Sequence, residues 1–421
     1  MNGGSELVHR VAVVAYHSSP LAETGSGDAG GMTVFVRGLA HALARRGLHT
    51  DIFSRRDADR PRVVNLSEGV RAISIDAGPS EPVDKSAQIS HIDDFVAGVR
   101  AFATANRIRY DLVHSHYWQS GLAATELSSA WGVPFVHSNH TLGKVKNSFL
   151  APGEPPERPE RLAGEARVIS SSDVLAVSTD AEIEQLTGLY GAARDRVTTV
   201  HPGVDHSLFN PLGDRVSARR ALGLGREATL LYVGRIQPLK GLELAVRSVE
   251  ELSGAMEGDV VLLVVGGASG TSGDAEVARL RDLAYELGVA DRIRFLGPRP
   301  HTSLPALYRA SDVVLMCSHT ESFGFAALEA HACGIPVVAT AVGGLSHIVA
   351  DGVTGYLVEE RDPAVFAGRL KTLLADTELR SQFSEAALAR ATAFDWDRSA
   401  AEFLELYECL ATAEGPELCT C

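Results

Sequence analysis

Apolar residues along this chain fall into short runs, and amphipathic stretches or polar loops separate them. RVAVVA (10–15), TDIF (50–53), RAISI (71–75), DLVH (111–114), PFVH (134–137) and VLAV (174–177) form a first series. TLLYV (229–233), VVLLVV (260–265), IRFL (293–296), VVLM (313–316), VVA (337–339) and LV (357–358) form a second. Continuous apolar runs of this length predict strands buried on both faces, as in parallel sheets. Between them, residues 32–46, 89–106 and 323–333 place apolar side chains at helical spacing. Gly47 closes the first helix; Gly334 and Pro336 end the third. Strand and helix alternate from end to end, which predicts an α/β protein.

The two series are separated by VTTVHPGVDHSLFNP (197–211), whose prolines and glycine read as an interdomain connection. The expectation is two parallel-sheet domains facing a cleft, spanning 1–206 and 207–393. The last predicted helix, 394–413, has Phe394 and Trp396 as apolar anchors and packs back on the first domain; 414–421 is a polar tail.

The chemistry concentrates in loops that follow strands, where ligands bind in open parallel sheets. HSSPLAETGSGDAGGM links the first strand to the first helix, and a glycine loop before a helix N-terminus suits a phosphate. Its spacing is not that of a dinucleotide fingerprint. Strand ends in the first series also present His17, His116, Tyr117, His140 and Thr141. In the second series, GRIQPLKG carries Arg235 and Lys240, two cations suited to a diphosphate. CSHTES (317–322) carries Glu321, and the following helix carries Glu329 about two turns further on. Two glutamates alone would be a helix cap and a solvated face residue. Joined to the phosphate loops, they predict a ligand with hydroxyls on either side of a diphosphate, a nucleotide sugar.

With 421 residues, 45% hydrophobic and 22% charged, the chain is long enough for two ordinary domains. A net charge of −14 argues against a general basic field for nucleic acid. No apolar run reaches membrane-spanning length, and the first ten residues lack the apolar core of a signal peptide, so the expected location is cytoplasmic. Of the five cysteines, Cys419 and Cys421 sit in the tail, too few to make a metal site.

GRIQPLKG, ESFGFAALEA and GSGDAGGM together resemble the retaining glycosyltransferases of the two-domain B-type (GT-B) fold, the large family that includes sucrose-phosphate synthase and mannosyltransferases. Within it, YDLVHSHYW, DRVTTVHPGVD and RIRFLGPRP are most similar to the branch that serves actinobacterial mycothiol biosynthesis. The resemblance implies two Rossmann-like domains, UDP-N-acetylglucosamine as donor and an inositol phosphate as acceptor. It assigns the donor to Glu23, Thr24, Gly31, Arg235, Lys240, Arg299, Glu321 and Glu329. It places Lys85, Tyr117, Thr141 and Arg161 on the acceptor phosphate, and His17 with Asp28, Ala29, Gly30, Gly31, Met32 and Thr33 along the acceptor ring. Arg235, Lys240, Glu321 and His140 would carry catalysis, His140 as a positioning group. No cofactor is implied for catalysis; a structural magnesium is implied near Tyr308, Arg309, Ser311 and Ile335, and a homodimer is the expected assembly. The chain departs from the pattern at Glu23, Thr24, Thr33, Asn139 and Ile335. A second reading therefore stays open: a secondary-metabolism relative with another donor and a non-inositol, thiol acceptor, as in lincosamide assembly.

Overall fold

A computed structural model describes residues 8–412, apart from 23–24, 26–28, 58–60, 82, 85–86, 152–153, 257 and 270–272. Eight strands form the first sheet: β1 (Arg10–Val14), β2 (His49–Arg55), β3 (Val63–Ser67), β4 (Val70–Ile75), β5 (Leu112–His116), β6 (Phe135–Ser138), β7 (Val174–Val177) and β8 (Val197–Thr199). Their order is β3-β4-β2-β1-β5-β6-β7-β8. Six more form the second: β9 (Ala228–Val233), β10 (Val260–Val265), β11 (Ile293–Gly297), β12 (Val313–Met316), β13 (Val337–Thr340) and β14 (Gly355–Val358), in the order β11-β10-β9-β12-β13-β14.

Every pairing is parallel except β3 with β4. The antiparallel edge strand β3 has no counterpart in the predicted series. Its VVNLS alternates exposed and half-buried side chains, so it has no apolar run to announce it. The predicted connection at 197–211 likewise begins with a strand, β8, paired to β7.

Both sheets change direction near the middle. In the first, the chain moves outward from β1 to one side and from β5 to the other; in the second the same happens at β9 and β12. The crevices at the carboxyl ends of these strand pairs are the topological switch points where open α/β sheets bind ligands. The two crevices face each other. Gly267 N donates to Gly25 O at 2.9 Å, and the Ser322 hydroxyl donates to the His140 carbonyl.

The C-terminal helix, Trp396–Thr412, crosses back to the first sheet. Trp396, Ala400, Phe403, Leu406 and Tyr407 are buried in the core that β1 and the helix Gly31–Arg45 also line. Tyr407 ends that contact deep inside, its hydroxyl 2.7 Å from His114 Nδ1. None of the described helices is long and apolar enough to cross a membrane.

Candidate active site

The donor-side loop, residues 317–322, is fixed by its backbone before any side chain acts. His319 N donates to Leu239 O at 2.9 Å, and Gly344 N donates to Glu321 O at 2.8 Å. The Thr340 hydroxyl and the Arg361 guanidinium hold the Ser318 carbonyl at 2.7 and 3.1 Å, and Arg361 also reaches the Cys317 carbonyl at 2.8 Å. Two glycines make the close packing possible. A Cβ on Gly241 (φ +63°) or Gly343 (φ +49°) would lie 2.0 Å from the carbonyl oxygen of Cys317 or Glu321.

On this frame Lys240 Nζ lies 2.5 Å from Glu321 Oε2. Both flank a cavity of about 150 Å³ that Arg235, Arg299, Glu329, Gly30 and Gly31 also line. Glu329 is buried on the helix Phe325–Ala332, with both oxygens engaged. His301 Nε2 meets Oε1 at 2.7 Å, and the Tyr308 hydroxyl donates to Oε2 at 2.8 Å. Burial alone would depress His301, but Glu329 outweighs it and holds the imidazole above its ordinary value. Gly30 and Gly31 bring the first domain's loop against this wall. A Cβ there would meet Arg235 Nε at 3.3 Å and the Phe325 ring at 3.1 Å.

Across the cleft, β5, β6 and the turn after β6 deliver four histidines: His114, His116 and His137, all buried, and the half-buried His140. His116 Nδ1 and His140 Nε2 are 2.9 Å apart, so one ring donates and the other accepts. Burial pushes His140 and His137 down to about 3, so both rings are neutral near pH 7. Tyr117 (φ 76°) and His140 (φ 58°) are held in the positive-φ region, a strain of about 1–3 kcal/mol that the surroundings must enforce.

Tyr117, Thr141 and Arg161 come together from three segments. The Arg161 guanidinium lies 5.2 Å from the Tyr117 ring centre and donates to the Thr141 hydroxyl at 3.0 Å. Arg161 also meets two acids, Glu165 at 2.8 Å and Glu157 at 2.9 Å. His17 packs its ring on Tyr117 at 4.4 Å between centres. Thr33 is buried with its hydroxyl 3.0 Å from that of Ser18, and Ala29 is buried while Met32 is half-buried. Asn139 is buried, its Oδ1 3.2 Å from His137 Nε2. Glu23, Thr24, Asp28, Lys85, Cys419 and Cys421 lie outside the described residues.

The residues expected around magnesium do not suit a resident divalent cation. The Tyr308 hydroxyl is turned to Glu329, the Ser311 hydroxyl donates to Leu307 O at 2.8 Å, and Ile335 offers no side-chain donor. The main-chain oxygens of Arg309 and Ser311 accept instead from the Arg215 guanidinium, at 3.0 and 2.5 Å. The adjacent carboxylate, Asp312, is likewise taken by Arg215, at 2.7 Å, and the described residues contain no group of three or more His, Cys, Asp or Glu able to hold a metal.

Sequence reading missed His301 behind Glu329, Arg361 behind the 317–322 loop, and Glu157 and Lys146 beside Arg161; it named Tyr308 for magnesium and not as the partner of Glu329. Lys146 and Glu157 sit in the same polar segments as residues that were singled out, so proximity was the available signal. Nothing local marks Arg361, which acts 44 residues from the Cys317 carbonyl it holds.

Comparison with known proteins agrees with this geometry. Residues 30–203 match the glycosyl transferase 4-like domain, and 214–390 match glycosyl transferases group 1. The chain is 46% identical to a D-inositol 3-phosphate glycosyltransferase of Acidothermus cellulolyticus, over 94% of this chain and 90% of that one. It is 46% identical to a protein of the same name from Actinosynnema mirum, over 94% and 96%. Among solved structures, the sucrose-phosphate synthase of Thermosynechococcus elongatus superposes with a TM-score of 0.86 at 30% identity, covering 96% of this chain and 99% of that one.

Proposed function

Because the chain belongs to the glycosyltransferase family whose curated members are named D-inositol 3-phosphate glycosyltransferase, we propose that it transfers N-acetylglucosamine from UDP-N-acetylglucosamine to 1D-myo-inositol 3-phosphate. The transfer retains the anomeric configuration and is the first step of mycothiol biosynthesis. The observation that supports the reading most is the opposition of two clusters across one cleft. Arg235, Lys240, Glu321 and Glu329 stand at the β9/β12 switch point, and Tyr117, Thr141 and Arg161 stand beside the β1/β5 one.

The roles follow from charge. The leaving diphosphate takes Arg235, Lys240 and the amides before the helix Phe325–Ala332 as donors, with Gly31 allowing close approach. Arg299, exposed at the rim, adds a third cation. Glu329 accepts from ribose hydroxyls and Glu321 from the sugar. The acceptor hydroxyl attacks from the face the diphosphate leaves, and its proton passes to the diphosphate. His140, neutral and half-buried, positions groups and is no base at neutral pH. Contact between the two crevices excludes water from the sugar. The proposed domain division is 1–206 and 207–393, with 394–413 on the first; a cytoplasmic homodimer is the proposed setting.

The test is a panel of nucleotide sugars and acceptors with products read by mass. N-acetylglucosaminyl inositol phosphate as the dominant product is the expected result. A product on a thiol, with inositol phosphate inert, overturns the reading in favour of a secondary-metabolism transferase.

A further inference from the structure

Each nitrogen of the Arg161 guanidinium already has a partner. Its Nε is taken by Glu165, which is buried and also accepts from Gly143 N at 2.9 and 3.0 Å. Its second amino group is on Thr141. The remaining one meets Glu157 Oε1 at 2.9 Å, and the same oxygen lies 2.8 Å from Lys146 Nζ. One carboxylate oxygen thus bridges two cations brought from separate segments, which is how a phosphate oxygen would sit between them.

The two acids on Arg161 differ. Glu165 is 1% exposed and holds the backbone at Gly143; Glu157 is 18% exposed, with solvent on one side. Beyond its two cations, Glu157 is held through its backbone, where its N–H donates to Asn147 Oδ1 at 2.7 Å. Its side chain can therefore swing out with its backbone held. Lys146 has a second partner, Glu154 at 3.2 Å, and so does not become unpaired during the exchange.

We propose that Glu157 is a displaceable stand-in for the acceptor's phosphate, and that Lys146 joins Arg161 as a ligand of that phosphate once Glu157 has swung away. The inference rests on the reading that the acceptor phosphate binds at Arg161. A dianion between two cations doubles the charge product that a single carboxylate offers, so the phosphate wins the exchange, whereas a neutral polyol has nothing with which to displace the acid.

The test compares inositol phosphate with free inositol in wild type, Glu157→Gln, Lys146→Gln and Arg161→Ala. Glu157→Gln keeps the shape and removes the competing charge. Its KM for inositol phosphate should fall about fivefold or more, with kcat within about twofold and no change toward free inositol. Lys146→Gln should raise that KM by about tenfold, again without effect on free inositol, and serves alone if Glu157→Gln does not fold. An unchanged or raised KM in Glu157→Gln, or an unchanged KM in Lys146→Gln, overturns the exchange while loss of phosphate preference in Arg161→Ala leaves the acceptor reading standing. Wild type that does not prefer the phosphate, or Arg161→Ala that keeps the preference, overturns the acceptor reading itself.

Discussion

The Tyr308 hydroxyl donates to Glu329 Oε2 at 2.8 Å, fully buried, from a helix that follows β11. The tyrosine thereby aims the carboxylate assigned to the ribose. Tyr308→Phe removes one hydrogen bond to a charged, buried acceptor, worth about 1.5–3 kcal/mol. Free UDP should bind about tenfold or more weakly by calorimetry. Unchanged UDP affinity would show that Glu329 does not meet the nucleotide.

His301 completes the same site and makes it sensitive to pH. Glu329 raises its pKa above 6.5 against the depression due to burial; Arg37 opposes and Asp205 assists. A raised folded-state pKa contributes stability that is fully present below about 6.5, the unfolded value, and is lost as pH rises through the folded value. The melting temperature should therefore fall from pH about 6.5 upward, and His301→Asn should flatten that limb. A limb of equal slope in the variant would place the titration elsewhere.

Lys240 and Glu321 form the shortest side-chain link in the donor cavity, at 2.5 Å. If Lys240 stabilises the departing diphosphate, Lys240→Ala lowers kcat by at least about tenfold at saturating donor, since one charge-assisted contact is worth about 1.5–3 kcal/mol. If the lysine only neutralises Glu321, melting temperature falls and kcat does not.

The alternation of elements and the polar strand ends were legible because parallel strands are continuous apolar runs, and VVLLVV or VVLM can hardly be anything else. The antiparallel strand β3 was not, since half of its side chains face water. Candidate residues carried on strand ends, such as Arg235, Glu321, Tyr117 and Thr141, stood out because their loops are polar islands between apolar runs. The supporting groups were not. Tyr308 was named for another role, and Arg361 follows a distant strand; the part each plays is defined only by what folding brings beside it. The magnesium expectation meets an unsuitable donor set for a related reason. Arg215, far from Ser311 in sequence, supplies the positive charge that the carbonyls of 309 and 311 receive.

Gly38 sits where the C-terminal helix crosses the helix Gly31–Arg45, and a Cβ there would lie 2.3 Å from the Trp396 ring. The indole is buried and packed by Phe35 and Phe325, so it has little room to give. Gly38→Ala should cost about 1–3 kcal/mol by denaturant titration. Gly188 is the control: it lies in the helix Asp180–Tyr190 with nothing within 4 Å of where a methyl group would stand, so Gly188→Ala should stabilise by about 0.4–1 kcal/mol. Equal effects at the two positions would mean that the crossing is loose.

Ser322 links the two crevices. Its hydroxyl donates to the carbonyl of His140, a residue held at φ 58° between Asn139 and the Thr141 that Arg161 grips. Ser322 follows Glu321 directly, so the bond ties the acid proposed for the donor sugar to the turn that carries Thr141, proposed for the acceptor. The contact between Gly267 N and Gly25 O holds the same closure from the other side and is pure backbone. Ser322→Ala therefore loosens the closure without abolishing it. Losing one neutral hydrogen bond of about 0.5–1.5 kcal/mol should lower kcat by about two- to tenfold. The melting temperature should hardly change, because the serine is only half-buried and belongs to neither core. The discriminating measurement is donor hydrolysis without acceptor, which closure suppresses by excluding water. In Ser322→Ala the ratio of hydrolysis to transfer should rise. If transfer falls while that ratio stays constant, the serine positions His140 alone and the closure does not depend on it.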